Sequence, residues 1–283
     1  MTRSVFSRSQ FNSKTIIKVP ILLGLVTSLS ACGQSSQKTL VLTGSSTVAP
    51  LAAEIAKRYE AEHPGVRIDV QTGGSSRGIA DARSQVADIG MVSRSLKSEE
   101  SDLTANSIAR DGITVILHGN NPVKSLTNEQ IIGIYTDKIN NWQEVGGNDA
   151  PITVVNKAEG RSTLELFADY FKLENTAIKA DTIIGDNEQG IKTIAGNPNA
   201  IGYVSVGAAE YNVEHGTPIK LLPVNGVEAS TETVRNGTFP ISRPLNLVTS
   251  GAPQGLSEEF VKFAQSSQVK DIVEEQYFVP ISQ

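Results

Sequence analysis

The chain has 283 residues, which is long enough for two domains of ordinary size, and 39% of them are hydrophobic, as is typical of a globular protein. Its 25 basic and 30 acidic residues give a net charge of −5. This acidic balance argues against nucleic acid as a partner, because phosphate backbones are bound by basic stripes. The sequence contains no internal repeat and no low-complexity segment.

The first residues predict a secretory signal peptide over 1–31. Four basic residues and no acidic residue flank an apolar stretch over 19–29, which is too short to span a membrane. A buried core helix is the alternative, but the basic flank and the missing helix caps disfavour it. Without these four basic residues the rest of the chain carries a net charge of −9. A bound anion would therefore have to be attracted locally, against the field of the whole molecule.

The apolar stretch ends in LSAC, residues 29–32, which resembles the bacterial lipobox. The resemblance implies that Cys32 is lipidated and becomes the mature N-terminus. A chance cysteine after an ordinary cleavage site is the alternative. Because Cys32 is the only cysteine, the chain cannot form an internal disulfide. Residues 32–38 are predicted to be a flexible tether.

Strand and helix patterns alternate along the rest of the chain. In chain order we predict strand 38–44, helix 48–62, strand 66–74, helix 76–86, strand 87–93, strand 112–120, helix 127–135, strand 152–155, helix 162–172, helix 188–195, strand 200–206, strand 243–251, helix 257–266 and helix 268–276. The order of the first five elements implies an open parallel sheet with helices on both faces.

The predicted fold is α/β with two lobes. The middle of the chain would be inserted into a domain made from both ends, so that lobe I comprises 39–118 plus 240–283 and lobe II comprises 119–239. Two crossing segments, near 116–121 and near 237–244, would form a hinge. A cleft between the lobes is a natural ligand site. Periodicity alone leaves a single long sheet open as the alternative.

Three places repeat one design, in which a strand is followed by glycine and then by hydroxyl residues at a helix start. They are GSST at 44–47, GGSSRG at 73–78 and GRST at 160–163. Each leaves backbone N–H groups of a first helical turn without partners, at the positive end of a helix dipole. Any one of them alone reads as an ordinary N-cap. Three together, at the carboxyl edge of a parallel sheet, predict a site for a compact oxyanion.

The sequence offers little support for catalysis or for a bound metal. It contains no P-loop and no GxSxG nucleophile elbow. His63, His118 and His215 are isolated and lack the spacing of metal ligands. Neither Ser46 nor Ser75 has a neighbouring histidine or lysine that would act as its base. We therefore predict no catalytic residue, no metal and no cofactor.

The chain resembles the phosphate-binding receptors of bacterial phosphate ABC transporters, the PstS-like periplasmic binding proteins. The resemblance covers nearly all of the chain after the signal and is carried by TGSSTVAP, GGSSRGI, ADIGMVSR, IYTDKINNWQEVGG, NKAEGRSTLELF and AIGYVS, in matching order. It implies a type II, Venus-flytrap receptor that holds inorganic phosphate between its lobes. It further implies a monomer in the periplasm or at the cell surface, tethered to the membrane by its lipid, with ABC permease subunits of the inner membrane as partners.

The resemblance also implies a set of ligand-binding residues. The predicted ligand-binding residues are Ser46, Thr47, Val48 (through its amide), Ser75, Ser76, Ser93, Arg94, Arg161, Ser162 and Thr163. Arg94 and Arg161 would supply guanidinium forks, which suit bidentate contact with an oxyanion. The alternative for each arginine is a solvated surface charge.

Two departures from the family pattern bear on selectivity. Lys157 stands where members usually have an arginine. Ser93 and Arg94 stand where well-known members have an aspartate that accepts the proton of hydrogen phosphate and so rejects sulfate. Leaving a buried polar group unsatisfied costs about 1–3 kcal/mol. A receptor or sensor for another oxyanion such as sulfate is therefore the alternative function, whereas a secreted phosphatase would need a base or a metal that the sequence does not supply.

Overall fold

The computed structural model describes residues 37–281, and no helix in that range is both long and apolar enough to cross a membrane. The predicted signal peptide and the predicted lipidation site at Cys32 lie outside the described residues. Lys38, the last residue of the predicted tether, already pairs with Val66 in the first strand.

The mixed α/β architecture predicted from the sequence is confirmed. The strands are β1 Lys38–Gly44, β2 Val66–Thr72, β3 Ile89–Val92, β4 Leu103–His118, β5 Thr153–Lys157, β6 Thr182–Ile184, β7 Ala200–Ser205, β8 Ile219–Leu221, β9 Ser242–Ser250 and β10 Val279–Pro280. The helices are α1 Val48–Glu62, α2 Ser75–Arg83, α3 Asn128–Tyr135, α4 Ser162–Phe171, α5 Asn187–Ala195, α6 Val206–Glu214, α7 Thr231–Arg235, α8 Gly255–Ala264 and α9 Lys270–Glu275. Short 3-10 turns occur at Ser98–Glu100, Trp142–Val145, Asn175–Ala177 and Ser267–Val269.

The strands form one mixed sheet in the order β2-β1-β3-β9-β4-β7-β5-β6, and β8 and β10 also pair with β4. The parallel arrangement predicted for the first three strands is confirmed, since β1 is parallel to both β2 and β3. A second parallel group forms around β5, which pairs with β6 and β7. Between the two groups β9 and β4 run antiparallel to their neighbours. The sheet is therefore mixed rather than wholly parallel, because β4 and β9 are both antiparallel to the strands beside them.

Strand β4 joins the two parallel groups. Its residues up to Gly112 pair with β9, whereas those from Ile113 to Leu117 pair with β7. A second connection lies alongside, because Ile113 donates its N–H to the carbonyl of Ile241, immediately before β9 begins. The chain thus passes between the groups at 112–113 and at 241–242. The exact limits of lobes I and II remain a prediction.

Among the hydrophobic clusters of the described residues, two large ones lie on the two sides of this connection. One contains Leu42 and Ile55 of lobe I together with Phe260 of α8. The other contains Phe167 and Trp142 of lobe II, and the Trp142 indole N–H donates to the Asn199 carbonyl at 2.9 Å. Two cores joined by a shared strand agree with the predicted two-lobe fold. They bring the carboxyl ends of β1, β3 and β5 towards one another.

Candidate functional site

The first glycine–serine turn places Ser45 under the start of α1. Gly44 adopts a φ of 130°, and a Cβ there would lie 2.3 Å from the carbonyl oxygen of Met91 in β3. Ser45 Oγ accepts from the amides of Thr47 and Val48 at 3.2 and 3.3 Å. Ser45 therefore acts as the cap of α1, and the Val48 amide, predicted to bind ligand, donates to it. The Thr47 hydroxyl is left for other contacts.

The second turn separates its two serines. Ser75 is 1% exposed, and its Oγ accepts from the Ser93 amide at 3.2 Å. Ser76 is exposed, and its amide donates to the carbonyl of Gly160 in lobe II at 3.2 Å. Ser75 thus lies with Ser93 inside the molecule, whereas Ser76 lies at the contact between the lobes.

The third turn opens α4 with two buried hydroxyls. Ser162 and Thr163 are 2% and 5% exposed, and Ser162 Oγ has no hydrogen-bond partner among the described residues. Arg161, which precedes them, is half-buried, and its side chain makes no hydrogen bond or ion pair within residues 37–281. Its side chain packs beside Gly74 of lobe I, where a Cβ would lie 2.9 Å from Arg161 Cδ. Buried polar groups are normally satisfied, so these unpartnered groups indicate a place for a ligand.

Arg243, which the sequence analysis did not identify, connects the first and third turns with Ser93, which follows β3. It is 2% exposed and holds Asp111 Oδ2 through Nη2 at 2.8 Å and Nε at 3.1 Å. The same guanidinium donates to Thr163 Oγ1 at 3.0 Å, to Thr47 Oγ1 at 3.2 Å and to Ser93 Oγ at 3.3 Å. One cation therefore contacts the hydroxyl groups of both lobes.

These contacts turn the hydroxyls into donors. Thr47 Oγ1 accepts from Arg243 and also from Asn187 Nδ2 at 3.1 Å, and Ser93 Oγ accepts from Arg243 and from Ser45 Oγ at 2.9 Å. A hydroxyl oxygen has two acceptor positions, so the Thr47 proton remains free to donate elsewhere. The site is consequently rich in donors, as an anion site must be.

Lys157 adds a buried amine to the site. It is 3% exposed, its Nζ donates to Asn187 Oδ1 at 3.0 Å, and no carboxylate pairs with it among the described residues. Burial lowers the pKa of Lys157 to about 7. The charge of Asp186 opposes this shift, and the charge of Arg243 adds to it.

Arg94 is placed differently from its predicted role. It is 4% exposed and donates to both carboxylate oxygens of Glu100, at 2.7 and 2.8 Å. Its Nε lies 3.0 Å from Glu165 Oε2 of lobe II, an ion-pair distance without the alignment of a hydrogen bond. All three of its nitrogens thus lie against carboxylates. This position gives Arg94 no free nitrogen for a ligand.

A cavity of about 530 Å³ borders the site through Ser46, Thr47 and Asn187. Its remaining walls include apolar side chains such as Val70 and Phe278. The half-buried Ser46 faces this cavity and makes no hydrogen bond through its side chain within residues 37–281. Because apolar walls do not suit a compact oxyanion, we place the candidate site at the hydroxyl groups around Arg243 instead.

The chain is similar to proteins of one family. Residues 30–268 match the model of the PBP superfamily domain. A phosphate ABC transporter substrate-binding protein from Clostridium perfringens, solved with bound phosphate, is 36% identical, with a TM-score of 0.80 over 87% of this chain and 100% of that one. The phosphate-binding protein PstS of Borreliella burgdorferi is 29% identical over 95% of this chain and 99% of its own length. PstS of Bacillus subtilis is 28% identical over 88% of this chain and 83% of its own length. The chain therefore belongs to the PBP superfamily, as a PstS-like member.

Proposed function

We propose that this chain is an extracytoplasmic receptor that binds inorganic phosphate between its lobes and delivers it to an ABC permease. The observation that carries the proposal is a cluster of basic side chains with few acidic partners. Arg161 and Arg243 act electrostatically on the buried Lys157, and Asp111 is the one carboxylate in hydrogen-bond contact with any of the three among the described residues. An uncompensated buried charge costs several kcal/mol, so the cluster calls for an anion.

The shape of the site suits a tetrahedral oxyanion. Thr47 and Ser75 approach it from lobe I, and Ser162 and Thr163 from lobe II. The amides at the start of α4 add donors at the positive end of a helix dipole. Donors gathered from several directions can reach each oxygen of a small anion, which a flat basic surface cannot do. The same geometry supports ligand roles for Ser93 and Arg161.

The site also explains how binding would close the lobes. Asn187 of lobe II already bonds Thr47 of lobe I, and Arg243 bonds Thr163, so the two walls are close together. A ligand shifts such an equilibrium only if it binds one state better than the other. An anion that contacts both walls meets this condition, because it gains its full set of donors in the closed state alone.

A hydrolytic enzyme is the less well supported reading. Asp111 accepts twice from Arg243 and once from the Gly207 amide, which leaves it poorly placed to activate water. The relatives described above are named for binding or transport. We further propose that lobe I comprises 39–118 plus 240–283 and lobe II 119–239, that Cys32 carries the lipid anchor, and that the receptor acts as a monomer in the periplasm or at the cell surface.

Isothermal titration calorimetry of the purified protein with phosphate and with sulfate tests the proposal. We expect saturable binding of phosphate with one site per chain. Absence of heat with both anions at millimolar concentration would exclude the oxyanion receptor. Binding of sulfate alone would keep the receptor and change its ligand.

A further inference from the structure

The buried amine of Lys157 has an unusual environment. Its one hydrogen-bond partner among the described residues is the amide oxygen of Asn187. The carboxylates of Asp186, which caps α5, and of Glu188 in its first turn act on it electrostatically but form no ion pair with it, and the guanidinium groups of Arg161 and Arg243 repel its charged form. The amine therefore has hydrogen-bonding capacity that no described residue uses.

The rest of the site offers few acceptors for a proton carried by the ligand. Asp111 is occupied by Arg243 and by the Gly207 amide, and Glu165 pairs with Arg94 and Lys97. The hydroxyls of the cluster accept from Arg243 and so offer their own protons. Hydrogen phosphate brings an O–H that would meet donors on most sides. Ser162 Oγ, which is buried and unpartnered, is the competing acceptor.

Resting on the phosphate-receptor function, we propose that Lys157 is a specificity-determining residue that exchanges a proton with the bound oxyanion. As a neutral amine it accepts the P–O–H proton through its lone pair and still donates an N–H to Asn187. Hydrogen phosphate then binds without taking a proton from water. Sulfate brings no proton, so its binding requires Lys157 to take one proton from solvent and become an ammonium group.

The electrostatic environment of Lys157 supports this difference between phosphate and sulfate binding. Burial lowers the pKa of Lys157 to about 7, against the opposing charges of Asp186 and Glu188 and with the help of Arg243 and Arg161. Above that pH the free receptor holds mostly neutral amine. Sulfate affinity should then fall about tenfold for each pH unit, because one proton is linked to binding. Phosphate affinity should change much less in the same range.

Calorimetry at about pH 8, in two buffers of different ionisation enthalpy, measures the protons taken up on binding. For the full chain we expect about one proton with sulfate and close to none with phosphate. In Lys157→Arg, whose side chain stays charged, we expect no proton uptake with either anion and a loss of the pH dependence of sulfate binding. Lys192→Arg, at an exposed lysine of α5, is the matched control and should behave as the unaltered protein.

The outcomes distinguish the proposed role of Lys157 from that of Ser162 and from failure of the receptor function. Equal proton uptake with phosphate and sulfate overturns the inference while the receptor function stands. If sulfate gives no heat at about pH 8, we expect the unaltered protein to bind sulfate at about pH 6 and Lys157→Arg to bind it as well. Absence of sulfate binding in both of these experiments overturns the inference. If Ser162→Ala, rather than Lys157→Arg, abolishes the difference between the anions, the acceptor is Ser162. No heat with either anion would instead remove the receptor function itself.

Discussion

Replacing Arg243 with methionine tests its contribution to anion binding and its contribution to the stability of the fold. Methionine keeps much of the side-chain length but removes the contacts to Asp111, Thr47, Ser93 and Thr163. For binding, the change removes the charge that directs the hydroxyl protons of the cluster towards the anion, and losing an interaction with a charged group costs about 1.5–3 kcal/mol. Phosphate affinity should therefore fall roughly 12- to 140-fold, since about 1.4 kcal/mol corresponds to a factor of ten.

The same change should destabilise the fold, because it leaves Asp111 buried, charged and unpaired. Removing one partner of a buried ion pair typically costs about 3–5 kcal/mol of unfolding free energy. The double variant Arg243→Met/Asp111→Asn removes the unpaired charge, so we expect it to recover most of the stability but not the binding. Urea unfolding and calorimetry on both variants measure the two effects separately. A stable double variant that binds phosphate as tightly as the unaltered protein would refute the placement of the site.

Three further predictions concern residues around the site. Arg161→Ala should weaken phosphate binding by at least about 2 kcal/mol, measured by calorimetry, because it removes a cation without a protein partner; an unchanged affinity would place Arg161 in solvent. Glu165→Gln removes the ion pairs that Glu165 makes across the cleft with Arg94 and Lys97, both at 3.0 Å. We expect faster release of phosphate in stopped-flow experiments and an affinity lower by roughly 5- to 30-fold, from about 1–2 kcal/mol, and an unchanged release rate would contradict a role in closure. Cys32→Ser should free the protein from the membrane fraction, and retention there would contradict the lipid tether.

The sequence was most informative where a signal is local. The predicted helix 48–62 coincides with α1, because Leu51, Ile55 and Tyr59 recur at helical spacing and are buried on one face. The glycine and hydroxyl turns before α1, α2 and α4 were found for the same reason. Each consists of neighbouring residues whose backbone requirements can be recognised without knowledge of the fold.

The sequence was least informative where the site depends on long-range pairing. Asp111 and Arg243 are 132 residues apart and meet because they stand opposite each other in the antiparallel register of β4 and β9. Asp111 lies just before the predicted strand 112–120 and Arg243 is the first residue of the predicted strand 243–251, so neither was identified as a site residue. The first half of β4 was not predicted as a strand, because polar residues interrupt its apolar pattern. The pairing of Arg94 with Glu100 could not be predicted, because it depends on a short turn that periodicity does not detect.

The place of Arg243 on the sheet has a mechanical consequence. In the register, Asp111 faces Arg243 and the next residue, Gly112, faces Ser242, and there the chain passes from one lobe to the other. Residues at a hinge move least when the two lobes rotate about it. On the proposed function, this guanidinium would therefore keep its place while the lobes open, and the groups of lobe II would complete the coordination of the anion only on closure.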